Sequence, residues 1–139
     1  MRFSRSEIVV RTPGRGLWEI TGKVRAEVRA TGIAEGVAHL FVLHTSCSLC
    51  IQENADPSVA ADLLDFLARV APDGDPRYRH SLEGPDDMPA HIRSMLTGVD
   101  LLVPVAEGDL KLGTWQGIYL AEHRTRPHTR RIVLSVWGA

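Results

Sequence analysis

The stretch from Val37 to Leu43, which reads VAHLFVL, sets the strongest limit on the possible folds of this chain. Its apolar residues run almost without interruption, which is typical of a β-strand covered on both faces. Cys47–Gln52 follows after a short polar segment and is predicted to be the partner of that strand. Leu17–Ile20 fits either a strand or the start of a helix. The β-branched content, apolar runs or alternation of four further segments predict strands at Ser6–Thr12, Leu101–Val105, Thr114–Glu122 and Ile132–Trp137.

Two helices are predicted between these strands. The first begins at Thr21 and ends at Gly32, because glycine readily closes a helix. The second has Asn54 or Asp56 as its cap and Pro57 at its first position. Its apolar residues recur with the 3.6-residue helical period at Val59, Leu63, Leu64, Leu67 and Val70. We therefore expect this face of the second helix to pack against the core.

The order of these elements indicates the fold class. Strands and helices are interspersed without a regular βαβ rhythm, and the last three strands follow one another through short segments. Glu107-Gly108-Asp109 has the chemistry of a hairpin turn. The pattern predicts an α+β fold, with a largely antiparallel or mixed sheet and a few helices, as one domain over residues 1–139. Three helices, counting one within Tyr78–Gly98, do not cover all the apolar strands, so we also expect an oligomer.

Composition argues against several classes of protein. The length of 139 residues fits one domain, and a formal charge of -1 gives no general attraction to nucleic acid or anionic membranes. No apolar run approaches the roughly 20 residues that span a bilayer. The first residues, MRFSRSEIVVRTPG, lack the features of a signal peptide. We therefore expect a cytoplasmic protein that binds neither nucleic acid nor membranes.

Cys47 and Cys50 form a C-x-x-C pair within a predicted strand. Residues three apart on a strand point to opposite faces, so this spacing argues against a redox pair. A zinc ribbon would need a second cysteine pair, which the chain lacks.

The segment from Tyr78 to Gly98 carries the main candidate site. His80 precedes a Gly-Pro turn, and Asp86 or Asp87 is a suitable cap for a third helix with Pro89 at its first position. His91 would then lie near the start of that helix. Imidazole and carboxylate groups gathered around one turn can hold a divalent metal ion. The same residues also fit a polar turn followed by a capped helix.

Other parts of the chain add polar groups. His44 follows a buried strand and precedes Thr45 and Ser46, while Glu122 is a half-buried carboxylate that needs a partner or a cation. His123–Arg130 is predicted to be a polar loop, rich in the arginines that suit phosphate binding. A structural histidine and a solvated loop are the competing interpretations. Neither a G-x-S-x-G elbow nor a glycine-rich phosphate loop occurs.

Three sequence blocks carry a resemblance: HTSCSLCIQENADP at 44–57, YRHSLEGPDDMPAHI at 78–92 and GTWQGIYLAEHR at 113–124. Their order and spacing resemble the YjbQ family, also called UPF0047, over nearly the whole chain. The resemblance implies a compact α+β fold, a homotrimer, and a weak secondary thiamine-phosphate synthase activity. It also implies a polar, metal-binding pocket formed by His44, His80, His91 and Glu122, with Gln116 and Arg130 nearby.

The chain departs from that family pattern in two places. Cys47 stands where many relatives have alanine. The loop after Glu122 reads His-Arg-Thr-Arg-Pro-His-Thr-Arg, where many relatives carry an acidic D-G-P-R. Metal preference and substrate can therefore differ from those of the relatives.

Together, these observations predict a divalent metal ion (zinc, manganese or magnesium) held by His44, His80 and His91. The candidate catalytic residues are Glu122, Asp87 and Gln116, and the candidate phosphate-binding residues are Arg124, Arg130, Ser46 and Asn54. The expected ligand is a small phosphorylated molecule, because thiamine phosphate synthesis joins a pyrimidine pyrophosphate to a thiazole phosphate. Two other functions fit the same residues: a metal-dependent binding protein with incidental catalysis, and a metal-dependent hydrolase with Glu122 or Asp87 as base.

Overall fold

The computed structural model describes residues 1–139. In chain order the elements are β1 (Arg2–Thr12), β2 (Gly16–Glu19), α1 (Thr21–Ala30), β3 (Gly36–Val42), β4 (Cys47–Glu53), α2 (Pro57–Val70), α3 (Asp87–Thr97), β5 (Asp100–Ala106), β6 (Asp109–Leu110), β7 (Gln116–Glu122) and β8 (His128–Gly138). All strand pairings are antiparallel, which confirms the predicted α+β class. No helix has both the length and the apolar character to cross a membrane.

The strands form two sheets rather than one. The larger sheet has the order β1-β8-β3-β5-β6, and the smaller has the order β2-β7-β4. Leu40 and Leu134 from the larger sheet meet Leu49 and Leu120 from the smaller sheet in a core that also includes Val28 of α1. Burial of apolar surface stabilises by about 25 cal/mol per Å². This shared core therefore holds the two sheets against each other.

The predicted pairing of β4 with β3 is wrong. Both edges of β3 are occupied, by β5 on one side and β8 on the other, so β4 pairs with β7 in the smaller sheet. The expected burial of β3 on both faces is also wrong within one chain. Ala38, Leu40 and Val42 point into the core, whereas Phe41 on the other face is exposed. The apolar run thus leaves an uncovered surface on the larger sheet.

Helix α2 has the predicted bounds but not the predicted burial. Asp56 caps it by accepting a hydrogen bond from the Ser58 N–H at 2.9 Å, and Pro57 is its first residue. Of its apolar residues only Leu67 is buried, and Phe66 remains 52% exposed. The helix stands off the smaller sheet and leaves a largely apolar groove of about 490 Å³ between them. The sequence periodicity therefore identified the apolar face of α2 correctly, but it did not show how much of that face is buried by the rest of the chain.

Three local features complete the comparison with the sequence. Leu17–Ile20, which fitted either a strand or a helix start, contributes most of strand β2. The hairpin turn is confirmed, with positive φ angles of 55° at Glu107 and 78° at Gly108. The predicted loop His123–Arg130 is too long, because β8 begins at His128 and pairs with β1 along its whole length. This correction places the last residues of the predicted loop on a strand.

Candidate functional site

Most of the predicted site residues gather at one end of the smaller sheet. Strand β4 begins opposite Glu122, the last residue of β7, so the segment before β4 and the loop after β7 leave the sheet together. The first turns of α3 lie against both segments. Arg124 in the loop contacts Asp87 of α3, and the Thr45 carbonyl accepts a hydrogen bond from His91. Strand pairing thus joins parts of the chain that are far apart in sequence.

Two histidines and one aspartate converge at this end. Asp87 Oδ2 lies 2.6 Å from His80 Nε2 and 3.1 Å from His91 Nε2. One ligand atom from each residue lies within 4.8 Å of the other two. Asp87 and His91 are four residues apart on α3 and so share one face of the helix. Asp87 is buried, while both rings are partly open to solvent.

His80, Asp87 and His91 could together hold a divalent metal ion. In a tetrahedral zinc shell with bonds of about 2.0–2.1 Å, neighbouring ligand atoms lie about 3.3 Å apart. The contacts of 2.6 and 3.1 Å are hydrogen-bond distances and are shorter than that spacing, so the ligand atoms would have to move apart slightly to admit an ion. Two imidazoles with one carboxylate form a donor set that suits zinc or manganese better than magnesium, which prefers oxygen ligands. Two imidazoles and one carboxylate also leave further coordination positions for a ligand.

Asp86 and Asp87 are both held by Arg124. Its Nε donates to Asp86 Oδ2 at 3.0 Å and its Nη1 donates to Asp87 Oδ1 at 2.9 Å. Asp86 also accepts from the Thr125 N–H, so it does not make the predicted capping bond to α3. Pro89 is the third residue of α3 rather than the first. Burial acts to raise the pKa of each carboxyl, but the hydrogen bonds and nearby positive charge outweigh it and lower both pKa values.

Glu122 forms a buried ion pair with Arg130. The Arg130 Nε donates to Glu122 Oε1 at 2.8 Å, its Nη2 donates to Oε2, and the Thr12 hydroxyl donates to Oε1 at 2.7 Å. Burial would raise the pKa of Glu122, yet these hydrogen bonds and that from the Arg124 N–H hold the pKa below its usual value. Both oxygens are occupied by donors. Glu122 is therefore placed to hold Arg130 rather than to act as a free base.

His80, Asp87 and His91 form what we call the metal-type group, and His44 lies beside this group but outside it. Its Nδ1 accepts a hydrogen bond from the Ser46 N–H at 3.1 Å and lies 2.9 Å from Ser46 Oγ. Ser46 Oγ also accepts a bond from Arg130 at 2.9 Å. The structure brings His80 together with Asp87 and His91, while His44 lies outside that group, so the predicted set of three histidine ligands stays a prediction.

Asn54 and Gln116 lie at the opposite end of the smaller sheet. Gln116 starts β7 and pairs with Glu53, six residues from the Glu122 end of that strand. Its Oε1 accepts from the Gly113 N–H, and the Asn54 amide donates to Glu19. The structure therefore does not bring these two residues together with the histidines. Their local bonds support a turn and a strand end.

Comparison with known proteins agrees with this architecture. The sequence profile described as UPF0047 protein YjbQ-like matches residues 6–139. The chain belongs to the YjbQ/UPF0047 family. It is 50% identical over 131 residues to a UPF0047 protein of Synechocystis sp., which covers 94% of this chain and 89% of the relative. It is 45% identical over 125 residues to the YjbQ protein of Salmonella typhimurium, covering 89% and 90% of the two chains.

Solved structures of related proteins share the fold. A YjbQ/UPF0047 protein from Clostridium acetobutylicum superposes with a TM-score of 0.86 at 36% identity, covering 95% of this chain and 99% of the other. A conserved hypothetical protein from Thermus thermophilus has a TM-score of 0.82 at 45% identity, covering 92% and 97%. These matches extend over nearly the whole chain, so the family assignment applies to all the elements that carry the site.

Sequence reasoning about this YjbQ-family chain missed two residues at the site. Thr12 donates to Glu122 from the end of β1, and His128 pairs with Thr12 across the β1–β8 ladder. The sequence contained a signal for Thr12, because it continues the alternation of Ile8 and Val10 along the strand. The structure shows that all three side chains are buried. No comparable pattern marks His128, which lay in the segment predicted to be a loop.

Proposed function

We propose that this YjbQ-family protein binds a divalent metal ion through His80, Asp87 and His91, and that the ion serves to bind a small phosphorylated ligand. One observation carries the proposal: two imidazole nitrogens meet a single oxygen of a buried carboxylate. A buried carboxylate needs compensating positive charge. Arg124 supplies part of that charge from one side of Asp87, and a metal ion would supply the remainder from the other.

The hydrogen bonds of His91 support this reading. Its Nδ1 lies 3.1 Å from the Thr45 carbonyl, which can only accept, so Nδ1 carries a proton. In the neutral ring, Nε2 then presents a lone pair to Asp87 Oδ2. Two facing lone pairs repel unless a proton or a cation lies between them. Neutral imidazole with its other nitrogen donating to a carbonyl is also the usual state of a metal-ligating histidine.

The phosphorylated ligand is suggested by the positive charge around this group. Arg124 remains the predicted phosphate-binding residue nearest the metal-type group, although its donors already contact Asp86, Asp87 and the Glu83 carbonyl. Arg126 lies in the same polar cleft, is exposed, and makes no side-chain hydrogen bond. A divalent ion beside such arginines neutralises phosphate or pyrophosphate oxygens. Arg130 is buried against Glu122 and Ser46, and its predicted phosphate contact stays a prediction.

The most specific form of the proposal is a thiamine-phosphate synthase-like transferase, as the family resemblance implies. A metal ion and arginines suit the pyrophosphate group that this reaction expels. The alternative is a metal-dependent binding protein with only incidental catalysis. It is supported by the carboxylates near the site, because Asp86, Asp87 and Glu122 are all engaged by hydrogen-bond donors. The same observation argues against a hydrolase with Glu122 as base.

Metal binding is tested with histidine variants. We expect the wild type to take up zinc or manganese and His91→Ala to bind it at least about 10-fold more weakly, since losses of that size follow even from disturbing residues behind a metal ligand. His39→Ala is the matched control, because His39 also contacts a carboxylate, Asp100, at 2.9 Å but lies on the larger sheet. Affinity is measured by competition with a chromophoric chelator. A wild type that binds no divalent ion, or equal losses in both variants, contradicts the proposal.

The transferase and the binding protein differ in rate. Metal-loaded protein is mixed with the pyrimidine pyrophosphate and the thiazole phosphate, and thiamine phosphate is measured over time. A dedicated enzyme is expected to reach a kcat of about 1 per second or more. A far lower rate, together with tight metal binding, favours the binding protein.

We also propose a homotrimer. Phe3, Phe41 and Leu102 on the larger sheet are exposed, as are Phe66 and Val70 of α2. Exposed apolar surface on this scale, in addition to the groove beside α2, is typical of a protein–protein interface. The family resemblance implies the number of subunits.

A further inference from the structure

The two ring nitrogens of His44 are in different surroundings. Nδ1 lies 3.1 Å from the Ser46 backbone nitrogen, whose N–H can only donate. Nδ1 must therefore be an acceptor, and the proton of the neutral ring sits on Nε2. Partial desolvation lowers the pKa of His44, and the Arg130 guanidinium lowers it further, both of which favour the neutral ring.

The protonated nitrogen of His44 has no partner within the protein. All the hydrogen bonds of the ring involve Nδ1. His44 lines an open cleft of about 410 Å³ together with His91 and Ser94. Its Nε2–H is therefore a hydrogen-bond donor available to a molecule in that cleft. A donor in this state cannot coordinate a metal through the same nitrogen, because coordination needs a lone pair.

The backbone groups of the adjacent residues Thr45 and Ser46 give His91 and His44 opposite tautomers. The Thr45 carbonyl accepts from His91 Nδ1, which leaves a lone pair on His91 Nε2. The Ser46 N–H donates to His44 Nδ1, which leaves a proton on His44 Nε2. Both rings line the same cleft. One histidine is thus prepared to bind a cation, and the other is prepared to donate to an anion beside it.

We propose that His44 is a ligand-binding residue that donates its Nε2–H to an oxygen of a phosphate group held beside His80, Asp87 and His91. This assignment rests on the proposed function and deepens it. It removes His44 from the metal site and names the chemistry that His44 recognises, a phosphoryl oxygen. The metal would supply charge, whereas His44 would supply a directed hydrogen bond.

The test separates metal affinity from phosphate affinity in three proteins. His44→Phe keeps a planar ring but has no donor, and His44→Gln places an amide N–H near the position of the imidazole Nε2. Metal affinity is measured by chelator competition. Affinity for inorganic phosphate is measured by titration calorimetry, with and without the metal. Because His44 is exposed, both variants should fold, which equal melting temperatures would verify.

We expect His44→Phe to bind metal like the wild type and phosphate about 10- to 100-fold more weakly, the range for a hydrogen bond to a charged group. His44→Gln should regain part of that loss. A loss of metal affinity in His44→Phe overturns the assignment, because His44 would then be a metal ligand. Unchanged phosphate affinity in His44→Phe, or His44→Gln as weak as His44→Phe, also overturns it.

The proposed function can fail separately. If the wild type binds no divalent metal, the metal site is refuted, while the phosphate titrations without metal still decide the role of His44. If the wild type binds no phosphate under either condition, the role of His44 is refuted and the metal measurements stand alone.

Discussion

Replacing Arg130 with methionine probes the buried ion pair that supports the candidate site. The side chains of Arg130 and Glu122 are only 1% and 0% exposed. The substitution removes two donors from the Glu122 carboxylate and leaves those of Thr12 and the Arg124 N–H. The remaining negative charge is then buried without a positive partner.

The size of the effect follows from two independent estimates. Breaking a buried ion pair by removing one partner costs about 3–5 kcal/mol. The carboxylate can instead take up a proton, which at pH 7 and an ordinary glutamate pKa of about 4.3 costs about 4 kcal/mol. The two values agree, so we expect Arg130→Met to lower the free energy of unfolding by about 3–5 kcal/mol at pH 7.

The next residue along β8 provides a matched control. Arg131 also pairs with a glutamate, Glu7, at 2.8 Å, but the two side chains are 58% and 43% exposed. Surface pairs of this kind contribute about 0–1 kcal/mol. Arg131→Met makes the same chemical change on the same strand and should have little effect.

Urea unfolding at a fixed protein concentration measures these differences. The cost of Arg130→Met should shrink as the pH falls towards about 4.3, because protonating Glu122 becomes less costly. A double variant with Glu122→Met should recover much of the loss, since apolar replacement of a buried pair is often neutral. Equal effects of Arg130→Met and Arg131→Met, or a cost that does not change with pH, would refute this reasoning.

Three further predictions concern pH, packing and assembly. Burial lowers the pKa of His123 from 6.5 to about 3, so its contribution to stability is present above pH 6.5 and is lost as the pH falls towards 3. His123 Nε2 lies 2.7 Å from Ser48 Oγ, and His123→Gln, which keeps a polar group there but does not titrate, should flatten that part of the pH profile of unfolding. Gly36→Ala should destabilise by about 1–3 kcal/mol because its Cβ would lie 2.0 Å from the Trp137 carbonyl oxygen. Gly22→Ala in helix α1 should stabilise by about 0.5–1 kcal/mol, because a Cβ there would meet no atom within 4 Å beyond its chain neighbours and the backbone of its own helix. Equal effects of the two substitutions in urea unfolding would contradict the packing argument. Sedimentation equilibrium at micromolar concentration should give three times the chain mass of 15.3 kDa, and a monomer mass would remove the trimer.

Features that depend on neighbouring residues could be predicted from the sequence. Asp56 and Pro57 mark the start of α2, and the hairpin at Glu107-Gly108 is recognisable from its residue types. Part of the candidate metal site belongs to this class, because Asp87 and His91 are separated by one helical turn. Each of these interactions spans only a few residues, so the residue types themselves contain the necessary information.

The partners of Glu122 and His44 could not be predicted in that way. Glu122 was expected to need a partner, but Thr12 lies 110 residues away and reaches it only because β1 pairs with β8. The state of His44 depends on a single backbone N–H, whose direction no residue pattern encodes.

Residue types and their spacing were sufficient to predict the α+β class, the positions of most helices and strands, and the local grouping of Asp87 with His91. Three features instead depend on how distant segments pack: the pairing of β4 with β7, the position of His44 outside the metal-type group, and the burial of Arg130 against Glu122. The physical reason is that periodicity reports which face of an element avoids water, whereas the element that covers this face depends on strand order and register.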